Sequence, residues 1–70
     1  MARPVPSAFG RRLRELRLWV RLSPEQVAVR AKLHPCHIRK LELGYSNNPS
    51  LDTAQKIAKA LGVTIEMMLQ

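Results

Sequence analysis

Residues 34 to 40 read HPCHIRK and gather the most reactive side-chain types of the chain: both histidines and the single cysteine at His34, Cys36 and His37, beside Arg39 and Lys40. Three chemistries use such a set. Imidazole and thiolate together can hold zinc. A cysteine at a basic helix start can serve as an oxidation-sensitive thiol. Basic and polar side chains at the front of a helix can meet the base edges and phosphates of nucleic acid. Geometry weighs against the first. If Pro35 opens a helix, Cys36 and His37 leave its axis about 100° apart, with His34 back in the preceding turn. Three of four consecutive residues rarely close a tetrahedral site, and no fourth ligand lies near in sequence, so neither metal nor cofactor is expected.

The elements around this stretch read as helices. Pro4 and Pro6 and the lack of apolar periodicity make residues 1–6 an arm, with residues 7–70 as one domain. Ser7 can cap a first helix in which Phe9, Leu13, Leu16 and Val20 recur at steps of four, three and four. Arg11, Arg12, Arg14, Arg17 and Arg21 occupy its other faces, and Gly10 slightly weakens its first turn. LSPEQVAVRA carries the clearest start signal: Ser23 as cap, Pro24 at the first helical position, Glu25 toward the positive dipole end, and Gln26 closing a capping box. That helix runs to about Ala31. His34 precedes a proline and is pushed out of helical conformation, so Lys32 to His34 form a turn and a third helix starts at Pro35, burying Ile38 and Leu41 and ending at Gly44. Tyr45 to Pro49 is a loop by composition. Ser50 caps a fourth helix with a stripe of Leu51, Ala54, Ile57, Ala58 and Leu61, terminated by Gly62, and Thr64 caps a short fifth. No segment alternates like a strand.

Bulk properties narrow the function. Seventy residues allow one small domain. One cysteine cannot make an internal disulfide, which fits a reducing cytoplasm, and no apolar run approaches the roughly 18 residues of a membrane span. The net charge is +7, and all of it lies in residues 1–43, which hold ten Lys and Arg against Glu15, Glu25 and Glu42; residues 44–70 balance Lys56 and Lys59 against Asp52 and Glu66. A basic half joined to a neutral, apolar half suits a polyanion on one face and packing or self-association on another. The five acids are scattered and no glycine-rich phosphate loop is present, so the chain is not read as an enzyme.

Two short helices joined by a three-residue turn, the second starting on the basic side, make a helix-turn-helix arrangement. The stretch from GRRLRELRLWV to GVTIEMML resembles the Xre/Cro-like helix-turn-helix family in register, through LRELR, LSPEQVA, IRKLELG and NPSLDTAQKIAKALGV. The resemblance implies an all-α, compact five-helix bundle of phage-repressor (lambda-repressor-like) type, with helices 2 and 3 as the helix-turn-helix. It implies that the third helix enters the major groove of double-stranded DNA, with Pro35, Cys36, His37, Arg39 and Lys40 at base edges. It also implies a structural ion pair between Arg17 and Glu42. Phosphate contacts are expected from the amides of Glu25 and Gln26, from Tyr45, Ser46, Asn47 and Asn48, and from Arg11, Arg12 and Arg14; Arg3 is a further candidate for a groove. Three positions depart from the family: Pro24 where glutamine is frequent, Lys32 where glycine is frequent, and Leu43 where a polar residue is frequent.

The expectation is a cytoplasmic, sequence-specific DNA-binding protein, a transcriptional regulator or repressor that reads a palindromic operator as a homodimer. Ile65, Met67, Met68 and Leu69 are the expected dimer interface, while Trp19, on the outer side of the first helix, joins Met67, Met68 and Leu69 as exposed apolar surface for the alternative that follows. The alternative is a protein-interaction module of the same fold, an antitoxin or adaptor that holds a toxin or the transcription machinery.

Overall fold

The computed structural model describes residues 5–46 and 49–69, and five helices follow in the order the caps dictate: α1 Ala8–Trp19, α2 Pro24–Ala31, α3 Pro35–Leu43, α4 Leu51–Leu61 and α5 Ile65–Met68. Each start has a side-chain acceptor for an otherwise unsatisfied amide: Ser7 for Gly10, Ser23 for Gln26, Ser50 for Thr53 and Thr64 for Met67. Before α3 the cap is His34, whose Nδ1 accepts from the Cys36 amide at 3.1 Å. His34 is thus both the last residue of the turn and the cap of α3.

The first four helices close alike. A residue in the left-handed region follows the last turn, and the next amide reaches back five residues: Leu22 to Arg17, Leu33 to Ala28, Tyr45 to Lys40 and Val63 to Ala58, all at 2.9–3.0 Å. Gly44 and Gly62 supply this conformation freely, but Arg21 and Lys32 adopt it at φ 59° and 58°, where a side chain costs roughly 1–2 kcal/mol. Lys32 thus keeps the turn geometry that glycine more often provides.

The helices pack around six side chains removed almost wholly from water: Leu13 from α1, Val27 from α2, Ile38 and Leu41 from α3, Ile57 from α4 and Met68 from α5. Helix α2 lies against both α3 and α4, while α1 joins α3 to α5. Buried Ala28 and Ala31 on α2 and Ala54 and Ala58 on α4 keep both helices slender where they meet. Met68 corrects an expectation. At 1% exposure it belongs to the chain's own core and offers nothing to a second chain, because the four-residue α5 has one inward direction and Met68 occupies it.

Gly10 has more consequence than a weak first turn. A Cβ there would stand 2.1 Å from the Leu41 carbonyl oxygen, so α1 meets the backbone of α3 directly. Gly44, at φ 92°, lies under residues 5 and 6, with a Cβ position 2.7 Å from the Val5 carbonyl carbon. The end of the arm is therefore laid across the C-terminus of α3. Arg3, Asn47 and Asn48 lie outside the described residues.

Candidate nucleic-acid interface

Pro35 fixes the start of α3, and helical period distributes its side chains from there. Ile38, Leu41 and Glu42 turn inward; Cys36, Arg39 and Lys40 are exposed; Pro35 and His37 are half-buried. The outward row is thus short and led by two cations. Among the described residues no three His, Cys, Asp or Glu side chains come together as a metal-binding group, and His34 spends its Nδ1 on the helix cap.

Arg39 is not a free cation. Its guanidinium pairs with the Glu25 carboxylate at the start of α2, both side chains about half exposed. Glu25 therefore holds the tip of Arg39 across the turn and restricts its rotamers, a role beyond the dipole-end charge and phosphate-facing amide that the sequence predicts for it. On the other flank of α3, Arg14, Arg39 and Leu43 rim a shallow cleft of about 240 Å³ over the Arg17–Glu42 pair. Leu43 is 55% exposed there, an apolar group among cations.

The Arg17–Glu42 pair is bidentate. Arg17 Nε donates to Glu42 Oε2 at 2.7 Å and a terminal nitrogen donates to Oε1 at 2.8 Å, while the other terminal nitrogen donates to the Leu22 carbonyl at 2.9 Å. Both side chains are close to fully buried. The Arg17 pKa is held above its already high ordinary value, chiefly by the hydrogen bonds to Glu42 and further by its charge, against the opposing push of burial. The pair locks the C-terminal end of α1 to that of α3 and so sets how far α3 stands out from the bundle.

Several expected phosphate contacts are already engaged. Arg12 Nε donates to the Met67 carbonyl at 2.8 Å and its terminal nitrogen contacts Glu15 at 3.3 Å, so Arg12 caps α5 on the side of α1 away from α3. The Gln26 amide donates to Ser23 Oγ, and Gln26 Oε1 accepts from the Ser23 amide. The Tyr45 and Ser46 amides both donate to the Lys40 carbonyl, at 2.9 and 3.1 Å. What remains open is the Glu25 amide, the exposed Tyr45 ring, the Ser46 side chain, Arg14 beside α3, and Arg11 one turn before it on the exposed face of α1. Composition and period place charges on a helix but do not reveal which acceptor 55 residues away claims them.

The turn, the two helices it joins and an outward cationic row define a helix-turn-helix. The helix-turn-helix family model matches residues 13–67. The chain belongs to the Xre/Cro-like helix-turn-helix family, whose members are DNA-binding transcriptional regulators. Within it, the chain is 43% identical over 56 residues to the control protein C.BamHI of Bacillus amyloliquefaciens, an alignment covering 79% of this chain and 68% of the relative. It also matches the crystal structure of the restriction-modification controller protein C.AhdI of Aeromonas hydrophila with TM-score 0.82 and 36% identity, over 87% of this chain and 91% of that one. SinR of Bacillus subtilis, the master regulator for biofilm formation, was solved in complex with DNA and superposes with TM-score 0.83 over 89% of this chain and 98% of that one; at 22% identity it supports the fold alone. Among the described residues no helix is long and apolar enough to cross a membrane.

Proposed function

We propose that this protein is a controller-type transcriptional regulator, similar in role to the control proteins of restriction-modification systems, which binds a palindromic operator as a homodimer. The observation that carries the reading is the outward row of α3, in which Arg39 is braced by Glu25 and flanked by Arg14 and Lys40. A planar guanidinium held at its tip is suited to bidentate donation to guanine O6 and N7. Lys40 takes a neighbouring phosphate or base, and Cys36 and His37, nearer the helix start, lie where a base edge or a thymine methyl group would pass. Pro35 keeps the first turn rigid. Arg14, Arg11, the Glu25 amide, and the side chains of Tyr45 and Ser46 supply phosphate contacts that fix register without reading sequence.

Self-association uses the opposite side. Trp19 is 83% and Leu69 67% exposed, and Trp19 and Met67 line a cleft of about 550 Å³ together with Leu16, Val20, Leu61 and Val63. Ile65 is half-buried and packs against the core. A two-fold axis through this surface would present two α3 helices to successive major grooves about 34 Å apart. Selection from a random duplex library at about 0.1 M salt tests the reading. The expected result is an enriched inverted repeat bound by two chains in sedimentation. A monomer that enriches no motif yet retains a protein through the Trp19 surface would instead establish the adaptor role.

A further inference from the structure

The two lysines of the neutral half of the chain are not solitary surface charges. Lys56 and Lys59, one turn apart on α4, face Arg30 from the last turn of α2 and Lys32 from the turn beyond it. The four cations rim a cleft of about 410 Å³ whose floor is Ala31 and Ala60. Among the described residues one carboxylate answers them, Asp52, which pairs with Lys56 at 3.2 Å on an exposed face; Arg30, Lys32 and Lys59 have no acidic partner. Four like charges grouped on one cleft repel one another and attract an anion.

The cleft does not belong to the α3 face. Arg30 follows Glu25 by five residues, which carries it about 140° around α2 and about 7.5 Å along it. Glu25 pairs with Arg39 of α3; Arg30 reaches the cleft against α4 and also borders the outer groove of α2 shared with Glu25, Gln26 and Val29. A partner protein would need a pocket for a buried anchor, since interface energy concentrates in a few desolvated Trp, Tyr or Arg side chains seated in well-packed pockets. Two alanines offer none. A phosphodiester backbone needs no anchor, because its affinity comes from cations that displace condensed counterions.

We infer that Arg30, Lys32, Lys56 and Lys59 form a second DNA-backbone site, which takes phosphates beyond the segment read by α3, either from flanking DNA that bends around the protein or from a second duplex. The inference rests on the DNA-binding reading above, and one experiment separates the two. The probes are the selected duplex trimmed to its two half-sites, the same duplex extended by about one helical turn on each side, an unrelated labelled duplex, and poly-L-glutamate. The proteins are the wild type and Lys56→Gln/Lys59→Gln, both exposed positions, with helicity checked by circular dichroism.

Both proteins should bind the trimmed duplex equally, and failure of the wild type there removes the DNA reading and this inference together. If flanking DNA is the ligand, the wild type binds the extended duplex more tightly and with a steeper salt dependence, and the double variant loses about 2 from the log–log slope per chain. If a second duplex is the ligand, wild type saturated with the trimmed site captures the unrelated duplex and the variant does not. Equal binding of all duplexes by both proteins overturns the proposal. So does a variant weakened on the trimmed duplex itself, and so does capture of poly-L-glutamate alone, which would assign the cleft to an acidic protein segment.

Discussion

Replacing Glu42 by alanine removes both oxygens that hold Arg17 and leaves a guanidinium with one neutral acceptor, the Leu22 carbonyl, in a site where its side chain is 12% exposed. Breaking a buried pair from one side costs about 3–5 kcal/mol, because the remaining charge keeps its desolvation without its partner. The retained Leu22 bond and the residual exposure place this case near the lower limit, about 3 kcal/mol. A chain of 70 residues has a total stability of about 4–10 kcal/mol, so a large share is lost. In thermal unfolding followed by far-ultraviolet circular dichroism, that corresponds to a fall in Tm of roughly 12–24 °C. The double replacement Arg17→Met with Glu42→Leu should recover most of the loss, because two apolar groups leave no stranded charge. The raised Arg17 pKa adds a sign: its stabilisation is complete below the unfolded-state value and disappears only as pH rises through the higher folded-state value, so it should not vary between neutral pH and about pH 10. A fall in Tm below about 5 °C for Glu42→Ala, or a double variant no more stable than the single, would refute the view that this pair locks α1 to α3.

Three further outcomes follow from the geometry. Gly10→Ala drives a methyl group to 2.1 Å from the Leu41 carbonyl and should cost about 1–3 kcal/mol in denaturant unfolding while weakening DNA binding, since the helix displaced is α3; wild-type values for both would show that the two helices do not touch there. Glu25→Gln should leave stability within about 0.5 kcal/mol, because its pair with Arg39 is half exposed, yet narrow the difference in affinity between the selected site and unrelated DNA; unchanged discrimination would remove Glu25 as the brace. Met68→Ala should destabilise the fold by about 2–5 kcal/mol, whereas Leu69→Asp should leave unfolding unchanged and shift sedimentation toward monomer; the reverse pattern would return Met68 to the interface.

The helix order was legible because the start and stop signals are local. Ser23 with Gln26, Pro35, Gly44 and Gly62 act within one turn of their own position, and each appears in the structure where the sequence puts it. Features set by tertiary contact are hidden from the sequence for a different physical reason. Arg12 had the composition of a phosphate contact, but its partner is a carbonyl 55 residues away. Gly10 looked like a weak helix position because nothing in its own turn announces Leu41. Met68 turns inward although the four residues of α5 hold too little period to define a face. The pairing of Glu25 with Arg39 and the grouping of Arg30 and Lys32 with Lys56 and Lys59 arise from how α2 sits between α3 and α4. The histidines and cysteine at positions 34 to 37 lose their likeness to a coordination site for a local reason: the helix start spends His34 as a cap and sends Cys36 and His37 in different directions.

In the proposed complex α3 is the reader and Arg39 its principal base contact. The most direct test is to select DNA in parallel with the wild type and Arg39→Ala and compare the two motifs position by position. The wild type should recover an inverted repeat, and the variant should recover the same repeat with one base of each half-site relaxed, a loss of roughly 1–3 kcal/mol there. Two identical motifs, or no motif from the wild type, would contradict this assignment.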